Sequence, residues 1–464
     1  MNATEVRTDP GCEPGSGPGD LLLRTVAAID AGSIPFCVLH GYETLPHEVR
    51  SDVDCLMPAA AVPGRLADVL HVHRERLDAE PVQWLEDGAD YVVMAGRGVD
   101  GAPALVPLHV SREFELKGRV LFTADEVLSR VRPHGAFSVP PPDLEFAFVL
   151  SNRVVKGRLS DAHGERLLTL YRLDPEGCRR QVDRLWSKPS AGLVRGAVET
   201  GDWDGVRAKL RALRADLLAR ATVRRPVSTA RRRIAGLARR FRRWLRPTNG
   251  LHVVFLGPDG VGKSTVIESC RGHLRAAFLR TDYFTFAPGL NPRPKPKPPG
   301  VGPHGLPPRT LPASLVKAAW WLVCYTLGYA LTIHPALARS SLVINHRYLL
   351  DALVDPLRYR YNGPLGLLRF IWRVAPRPHL VILLDAPAEV VRGRKQELAL
   401  EEIRRQRDAY RALVEPLACG RVVDASRPIG EVVAEVDRVI LTYLAERTAG
   451  RFRLEWERLP FLRA

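Results

Sequence analysis

Short apolar runs, each followed by a longer amphipathic stretch, recur through the C-terminal half of the chain. The clearest read LHVVFL, SLVINH, HLVILLD and RVVD, and a weaker one, AAFLRTD, follows the first. Nearly continuous apolar strands that alternate with helices are typical of a parallel sheet covered by helices on both faces. The pattern therefore predicts an α/β fold over residues 250–464. Ligands bind such sheets beyond the carboxyl ends of the strands, where Gly257, Arg347, Asp385 and Ser426 stand.

The N-terminal half has a different pattern. From Asp20 a helical segment, LLLRTVAAIDA, leads to a short strand, PFCVLHG, and then to SDVDCLM, whose alternation is typical of a half-buried strand. From Asp143 to Ala221 the spacing is helical, and we interpret its apolar stripe as core. That stripe comprises Leu210, Leu213, Leu217 and Leu218. We predict an α+β domain with a helical extension over residues 20–220.

An arginine-rich connector, residues 221–249, separates the two halves. It holds ten arginines and no acidic residue, so the formal net charge of +17 is partly a local feature. Apolar residues recur on one helical face: Ile234, Leu237, Ala238, Phe241, Trp244 and Leu245. Three interpretations stay open. The first is an interdomain helix that packs Phe241 and Trp244 against a neighbour, and the second is peripheral contact of residues 223–247 with an anionic membrane. The third, nucleic acid, lacks stacking aromatics and a docking motif, so no specific nucleic-acid partner is predicted.

Two segments of the second half stand outside the strand–helix alternation. Residues 287–312 carry ten prolines, which predicts an exposed, lid-like insertion. Residues 318–333, AAWWLVCYTLGYALTI, form the most apolar stretch. Sixteen residues fall short of the roughly 20 that span a bilayer. A buried core helix is therefore predicted there, with membrane contact as the alternative.

Cysteine use and the N-terminus bear on the compartment. Seven scattered cysteines, never in C-x-x-C, disfavour a disulfide framework or a cysteine zinc site and fit a reducing cytoplasm. Residues 1–19 lack the basic-then-apolar order of a signal peptide and are predicted to form a disordered tail. We predict a cytoplasmic protein, and the second interpretation of the connector would make it membrane-peripheral. A homo-oligomer is compatible with the sequence.

One stretch carries recognisable chemistry. Residues 251–265 read LHVVFLGPDGVGKST, a strand, a glycine-rich turn and a helix start that fit G-x-x-x-x-G-K-[ST]. Such a loop directs backbone N–H groups and the positive end of a helix at phosphate oxygens. Lys263 can reach the β- and γ-phosphates, and Ser264 can ligate Mg²⁺. We therefore predict that ATP and Mg²⁺ bind at Gly257, Asp259, Gly260, Val261, Gly262, Lys263, Ser264 and Thr265.

The segment from Gly250 to Glu446 resembles thymidylate kinases. The resemblance rests on the acid before the second loop glycine, on the HRY triplet, which is similar to the family's D-R-[YH] motif, and on the basic VVRGRKQE stretch. It implies that Asp259 contacts the acceptor's sugar hydroxyl and that Arg347 positions the acceptor phosphate. It also implies a cationic lid over ATP, formed by Arg392, Arg394 and Lys395, and an adenine contact from the loop with Ser426 and Arg427.

Two departures from that family are readable. His346 stands where the motif aspartate would help to order Mg²⁺; Asp351, Asp355 and Asp385 are alternative carboxylates, and Asp385 is our candidate for Mg²⁺ bound with ATP. The family's Ala-Tyr-Gln run in the thymine pocket is replaced by DALVDPLRYRYNGP. Thymidylate is therefore not the expected acceptor, and the alternatives are another nucleotide or another phosphorylated or sugar-like metabolite.

The N-terminal half resembles minimal nucleotidyltransferases. His40, Gly41 and Tyr42 precede the pair Asp52 and Asp54, as in the family's hG[GS]…Dh[DE]h signature, although Tyr42 replaces a small residue. The two aspartates lie at i and i+2 on one strand, so their carboxylates face the same side and can share a divalent cation. The family's third carboxylate has no counterpart, since the best later strand, ALVPLHV, offers Pro107 and His109 instead.

Three functional hypotheses follow. The first is an ATP-dependent phosphotransferase of the nucleoside-monophosphate-kinase type. The second is a regulatory or ATPase module in which His346 marks lost kinase activity. The third is a bifunctional enzyme whose first half transfers nucleotidyl groups.

Overall fold

A computed structural model describes residues 17–49, 51–98, 102–245, 249–288, 306–396, 398–455, 457 and 459–462. The chain divides into two compact units. The first unit comprises residues 1–99, 104–239 and 448–461, and the second comprises 100–103, 240–447 and 462–464. Most of the tail predicted over 1–19 and of the insertion predicted over 287–312, with Arg293, Lys295 and Lys297, lies outside the described residues.

The first unit is built on a five-stranded mixed sheet in the order β1-β2-β5-β4-β3. Strands β2 and β5 are parallel and the other neighbours are antiparallel. The strands are Cys37–Val38 (β1), Val53–Leu56 (β2), Ala79–Asp87 (β3), Ala89–Gly96 (β4) and Ala104–Ser111 (β5). Two antiparallel pairs follow: Glu113–Leu116 (β6) with Arg119–Thr123 (β7), and Arg132–His134 (β8) with Phe137–Val139 (β9).

Helices cover this sheet and extend the first unit. Those near the sheet are Pro18–Ala31, Gly64–Val72, Arg74–Leu77 and Ala124–Leu128. The extension is Pro142–Lys156, Asp161–Leu173, Pro175–Leu185, Lys188–Thr200, Asp204–Ala208 and Leu210–Arg224. The prediction of helices over Asp143–Ala221 is confirmed. Leu213 and Leu217 are buried in the extension's core, as the apolar stripe predicted.

The connector forms one helix, Pro226–Leu245, and the boundary between the units falls inside it, after Arg239. Its apolar side chains are not packed away. Phe241 and Trp244 are more than half exposed, as are Ile234, Leu237 and Leu245. Trp244 nevertheless contacts His334 through its carbonyl oxygen and its ring, and the interpretation that packs Phe241 and Trp244 against a neighbour stays a prediction.

The second unit is a parallel sheet flanked by helices, as predicted. Its strands are Leu251–Leu256 (β10), Arg280–Thr285 (β11), Ser341–His346 (β12), Leu380–Asp385 (β13) and Gly420–Asp424 (β14). They are ordered β11-β12-β10-β13-β14 and all pairs are parallel. The second strand begins at Arg280 and not at Ala276, because Leu274–Ala277 is a turn of 3₁₀ helix. Strand β10 is central and fully buried, and the chain reverses its direction of sheet growth there, which is where ligands bind in such folds.

The helices of the second unit include one that the sequence prediction misjudged. Leu311–Ala338 is a continuous helix whose middle, Cys324–Ile333, is π-helical. It is the one helix among the described residues long and apolar enough to cross a membrane by length and composition, and about a third of its most apolar stretch is buried. The prediction of a buried helix is wrong, since the helix extends past 318–333 at both ends and exposes one side. The others are Lys263–His273, Leu349–Val354, Leu365–Val374, Ala388–Arg394, Leu400–Val414 and Ile429–Phe452.

Candidate functional site

The loop after β10 has the backbone of a phosphate cradle. Gly257, Gly260 and Gly262 have φ angles of 138°, 89° and 105°, a region that side chains other than glycine rarely adopt. A Cβ on Gly257 would lie 2.5 Å from the Leu384 carbonyl oxygen. The helix Lys263–His273 begins directly after the loop, and Ser264 and Thr265 are exposed in its first turn. The residues predicted to bind phosphate therefore adopt one continuous strand–loop–helix arrangement.

Lys263 is buried and turns back into this loop. Its Nζ donates to the carbonyl oxygens of Gly257, at 2.6 Å, and Pro258, at 2.8 Å. Burial, and then the nearby Arg347 guanidinium, lower the pKa of Lys263 to about 7. The anionic oxygens of a triphosphate would offset both effects and favour the charged ammonium of Lys263, which the neutral carbonyl oxygens do less well.

Basic residues after β13 pack against the same loop. Arg394 donates to the carbonyl oxygens of Val261, at 3.3 Å, and Ala425, at 2.9 Å. A Cβ on Gly260 would lie 2.7 Å from the Cβ of Lys395. Arg392 is exposed. The structure therefore brings Arg394 and Lys395 of the predicted lid to the phosphate loop.

The loop after β14 lies beside Arg394. Both the backbone N–H and the hydroxyl of Ser426 donate to Asp424, at 2.9 and 2.6 Å. Arg427 is paired with Asp424 and Glu435. The predicted adenine loop is thus ordered by its own polar contacts next to the phosphate loop.

Asp259 is held between two guanidinium groups. Arg347 donates to one carboxylate oxygen and Arg358 to the other. Burial favours the neutral acid, but Arg347, Arg358 and the Lys263 ammonium outweigh it and hold the pKa of Asp259 below its usual range. The contact of Asp259 with Arg358 was not foreseen, because Arg358 belongs to no motif and reaches Asp259 only through the fold of residues 355–361.

Arg347 connects this cluster to a second, fully buried carboxylate. Its guanidinium lies 3.4 Å from Asp351, which also accepts hydrogen bonds from the Tyr348 backbone and the Tyr410 hydroxyl. Arg347 has φ of 75°, and its N–H donates to the Phe255 carbonyl oxygen at 3.0 Å. The carboxylates of Asp259 and Asp351 therefore fix Arg347 at the carboxyl end of β12, adjacent to β10.

His346 is neutral in this setting. Burial, and then the charge of Lys263, lower its pKa to about 4. Its ring stacks on Tyr283 at a centroid distance of 6.4 Å. Where the D-R-[YH] motif has an aspartate, this chain therefore has an uncharged imidazole ring.

Asp385 ends β13 and is already engaged by arginines. Arg407 donates to both of its oxygens, at 2.6 and 3.0 Å, and Arg411 to one of them, at 3.1 Å. These contacts join the sheet to the helix Leu400–Val414. The assignment of Asp385 to Mg²⁺ stays a prediction, and a metal would have to share its oxygens with two guanidinium groups.

A group of aromatic rings includes Tyr359, the residue that follows Arg358 in the chain. Phe286 stacks on Tyr359 at 4.3 Å and meets the edge of Trp321 at 5.1 Å. Tyr325 and Asn345 both donate to the Phe286 carbonyl oxygen. Apolar ring faces therefore adjoin Arg347 and Arg358, the two arginines that hold Asp259.

The first unit holds a separate polar cluster. Asp54 on β2 faces His109 on the parallel strand β5, with 2.6 Å between its Oδ1 and Nδ1, and His40 Nε2 lies 3.0 Å from its Oδ2. Burial opposes ionisation, but the imidazoles outweigh it and hold the pKa of Asp54 below its usual range. One ligand atom each of Asp52, Asp54 and His109 lies within 4.8 Å of the others. The two predicted metal ligands are thus near each other. His109, on the strand that lacks the third carboxylate of the resembled family, is a third donor.

Tyr42, the residue after the predicted loop glycine, is tied to the helical extension. Its hydroxyl donates to Glu145 at 2.6 Å and accepts from Arg166 and Arg132 at 2.7 and 3.0 Å. Gly41 has φ of 72° and open space around it. The turn is therefore glycine-dependent, while the ring beside it is fixed.

Comparison with known proteins bears on the kinase-like region. No family model matches the chain. Over 125 residues it is 35% identical to a protein of Pyrobaculum calidifontis described as "probable thymidylate kinase", a match that covers 24% of this chain and 60% of that relative. The parallel sheet with its phosphate loop is a P-loop kinase type of fold, and the chain contains a region similar to a thymidylate kinase.

Proposed function

We propose that the second unit is an ATP- and Mg²⁺-dependent phosphotransferase of the nucleoside-monophosphate-kinase type. The observation that carries the proposal is the placement of the buried Lys263 between two groups of residues. On one side is the glycine cradle, and on the other is the Asp259–Arg347–Arg358 cluster, whose charges influence the pKa of Lys263. Phosphoryl transfer requires two anionic reactants to be held in line, so adjoining anion sites suit it.

The residues fit the donor. Positive-φ glycines leave the space that phosphate oxygens need, and Lys263 supplies a cation that neutral carbonyls only partly satisfy. Ser264, exposed in the first helical turn, and Asp385 are the proposed Mg²⁺ ligands, and the ion would neutralise charge on the β- and γ-phosphates. Arg394 and Lys395 would add positive charge from the lid, with Arg392 joining on closure. Ser426 and Arg427 would border the adenine.

An acceptor phosphate would take the place of the Asp259 carboxylate on Arg347 and Arg358. Arg347 and Arg358 now share Asp259, so an acceptor phosphate that bound them would release Asp259 to accept a hydrogen bond from an acceptor hydroxyl. The rings of Phe286 and Tyr359 would face an apolar or planar part of the acceptor. We propose a small phosphorylated acceptor, with a nucleoside monophosphate as the first class to examine.

An acceptor screen tests this proposal. ADP formation from ATP and Mg²⁺ is measured with and without each member of a panel of nucleoside monophosphates and sugar phosphates. We expect at least one acceptor to stimulate ADP formation, and Lys263→Ala to abolish that stimulation. Stimulation by none of them would favour the regulatory or ATPase alternative, which the neutral His346 and the closed Asp259 pairing support.

We propose nucleotidyl transfer in the first unit as a second candidate. The convergence of Asp52, Asp54 and His109 favours it, since two carboxylates and an imidazole suit a divalent cation. Transfer of label from an α-labelled nucleoside triphosphate is the measurement. We expect Asp54→Asn to abolish transfer and Lys263→Ala to leave it unchanged; label transfer that survives Asp54→Asn would refute this candidate.

A further inference from the structure

The helix Leu311–Ala338 is apolar on its outer face as well as on its inner face. Toward the core it buries Ala318, Trp321, Tyr325, Gly328 and Ile333. Toward solvent every exposed residue is also apolar: Leu311, Pro312, Leu315, Val316, Ala319, Trp320, Val323, Leu327, Ala330 and Leu331. A surface helix of a soluble domain ordinarily turns polar residues outward. The outer face does not follow this rule, which indicates a binding partner that would cover its apolar side chains.

The outer face is a continuous strip. Its members, several of them adjacent pairs, recur every three or four residues from Leu311 to Leu331. At about 1.5 Å per residue the strip is roughly 30 Å long. Single exposed apolar residues are ordinary, but a strip of this extent marks an interaction surface.

The sequence around this helix is almost free of acidic residues. Between Tyr283 and Leu384 there are twelve lysines and arginines and only two acids, Asp351 and Asp355. Both acids are buried, so they offer no negative charge to an approaching surface. Exposed cations in this stretch include Arg309, Arg339, Arg369, Arg373 and Arg377. Two of them, Arg369 and Arg373, lie on the helix Leu365–Val374, which contacts Leu311–Val323, and their charge complements a negatively charged partner.

The end of the connector helix adjoins the C-terminal end of this helix within the second unit. The carbonyl oxygen of Trp244 lies 2.5 Å from His334 Nε2, and the two rings meet edge to face at 5.8 Å. Phe241, Trp244 and Leu245 are exposed there, and Arg240 and Arg242 are exposed beside them. A second apolar group with flanking arginines therefore lies near the strip.

We propose that the outer face of Leu311–Leu331 lies in the headgroup region of an anionic bilayer, with the surrounding arginines on lipid phosphates. An apolar face edged by cations is the composition of interfacial helices. The helix does not span the bilayer, because Trp321 and Tyr325 pack its inner face into the core of the second unit. A second copy of the chain is a poorer occupant, since two such basic surfaces repel each other. The proposal does not rest on the proposed kinase activity.

Co-sedimentation of the full chain with vesicles tests it. We expect binding to vesicles of phosphatidylcholine mixed with phosphatidylglycerol, weaker binding to phosphatidylcholine alone, and weaker binding at high salt. Trp320→Glu/Leu327→Glu should lower the partition coefficient about tenfold or more, because two acids replace exposed apolar side chains that the bilayer would cover. Val72→Glu/Leu173→Glu, at exposed apolar positions of the first unit, is the matched control and should bind as the wild type does. Circular dichroism and ATP binding check that both variants fold.

Three outcomes would overturn the proposal. One is no binding to either vesicle at low salt. Another is binding that falls equally in the face variant and in its control. The third is a concentration-dependent dimer, measured by light scattering, that Trp320→Glu/Leu327→Glu converts to a monomer without any effect on vesicles, since the face would then be a protein interface.

Discussion

Arg347 occupies an unusual position at the carboxyl end of β12. It is buried, its backbone is left-handed, and two carboxylates, Asp259 and Asp351, contact its guanidinium. A left-handed backbone disfavours a residue with a side chain by about 1 kcal/mol or more, so surrounding contacts must hold it there. The charge pairs and the hydrogen bond from its N–H to Phe255 provide those contacts. Arg347 is thus placed before any acceptor arrives.

Arg358 should bind the acceptor without taking part in ATP binding. In Arg358→Ala, Asp259 keeps Arg347 but the second guanidinium is lost. We expect the acceptor KM to rise about tenfold or more, since a charge-assisted hydrogen bond is worth roughly 1.5–3 kcal/mol. ATP affinity should stay within a few-fold. Arg360→Ala, which removes a nearby arginine bonded to the Pro307 carbonyl, is the control; an equal effect in both variants would contradict the assignment.

His252, inside β10, should make the second unit sensitive to mild acid. Its side chain is fully buried, and among the described residues its ring forms one hydrogen bond, with Asn345. Burial lowers the pKa of His252 to about 3. The unfolded chain, with a pKa near 6.5, binds a proton in the window between these values, so the free energy of unfolding falls as pH drops below about 6.5. Between pH 6.5 and 5 the loss is at most about 2 kcal/mol for one histidine.

Urea unfolding at pH 7 and pH 5 measures this effect. His252→Gln keeps a polar group toward Asn345 and removes the titration, so its stability should change less between the two pH values than that of the wild type. Carboxylates contribute little in this window because their unfolded-state pKa values lie near 4. An equal loss in both proteins would exclude His252 as the cause.

At the scale of elements, the phosphate loop depends on Gly260 more than the helix that follows depends on Gly272. An alanine there would have φ of 89° and a Cβ 2.7 Å from that of Lys395. We expect Gly260→Ala to weaken ATP binding about tenfold, because roughly 1–2 kcal/mol of backbone strain falls on the bound loop. Gly272→Ala, in the helix that follows and with open space around it, should bind ATP normally. Titration calorimetry compares the two, and similar affinities would refute the loop's role.

Elements whose chemistry lies in one continuous segment could be predicted from the sequence, and contacts between distant segments could not. The strand–loop–helix at residues 251–265 was predictable because its chemistry is contiguous. Arg358 was not, because only the fold of residues 355–361 brings it to Asp259. The β3–β4 hairpin was missed, although Asp87 and Gly88 give a turn signal that is typical of hairpins.

The length of the helix Leu311–Ala338 was misjudged for a physical reason. The prediction covered only the apolar run of residues 318–333, although the helix continues through Lys317 and Pro335. In the structure Lys317 stays inside the helix, because its ammonium bonds to the Tyr359 carbonyl and lies over the Trp321 ring at 4.9 Å. Pro335 is the second residue of the helical turn His334–Ala338, which follows the π-helical segment, and a proline is tolerated in the first turn of a helix.

At the scale of the whole molecule, the two units carry separate candidate sites. The polar cluster of Asp52, Asp54 and His109 belongs to the first unit, and the phosphate loop belongs to the second. Asp54 and His109 lie on the mixed sheet of the first unit, whereas the phosphate loop follows a strand of the parallel sheet of the second unit. Variants at one site should therefore leave binding at the other intact.

Separate binding measurements check this independence. In Asp52→Asn/Asp54→Asn, ATP affinity at the second unit should remain within about twofold of the wild type, while binding of Mn²⁺, followed by electron paramagnetic resonance, should lose one class of site. Lys263→Ala should have the converse effect on ATP with Mn²⁺ binding at the first unit retained. Loss of both in either variant would show that the two sites are energetically coupled.

The fate of the γ-phosphoryl group of ATP tests the central claim most directly. The full chain is incubated with γ-labelled ATP, Mg²⁺ and nucleoside monophosphates, and the label is separated into new phosphorylated products and inorganic phosphate. A phosphotransferase predicts acceptor-dependent label in a nucleoside diphosphate, lost in Lys263→Ala and reduced in Arg358→Ala at low acceptor concentration. Label released only as inorganic phosphate, at a rate that no acceptor changes, would contradict it.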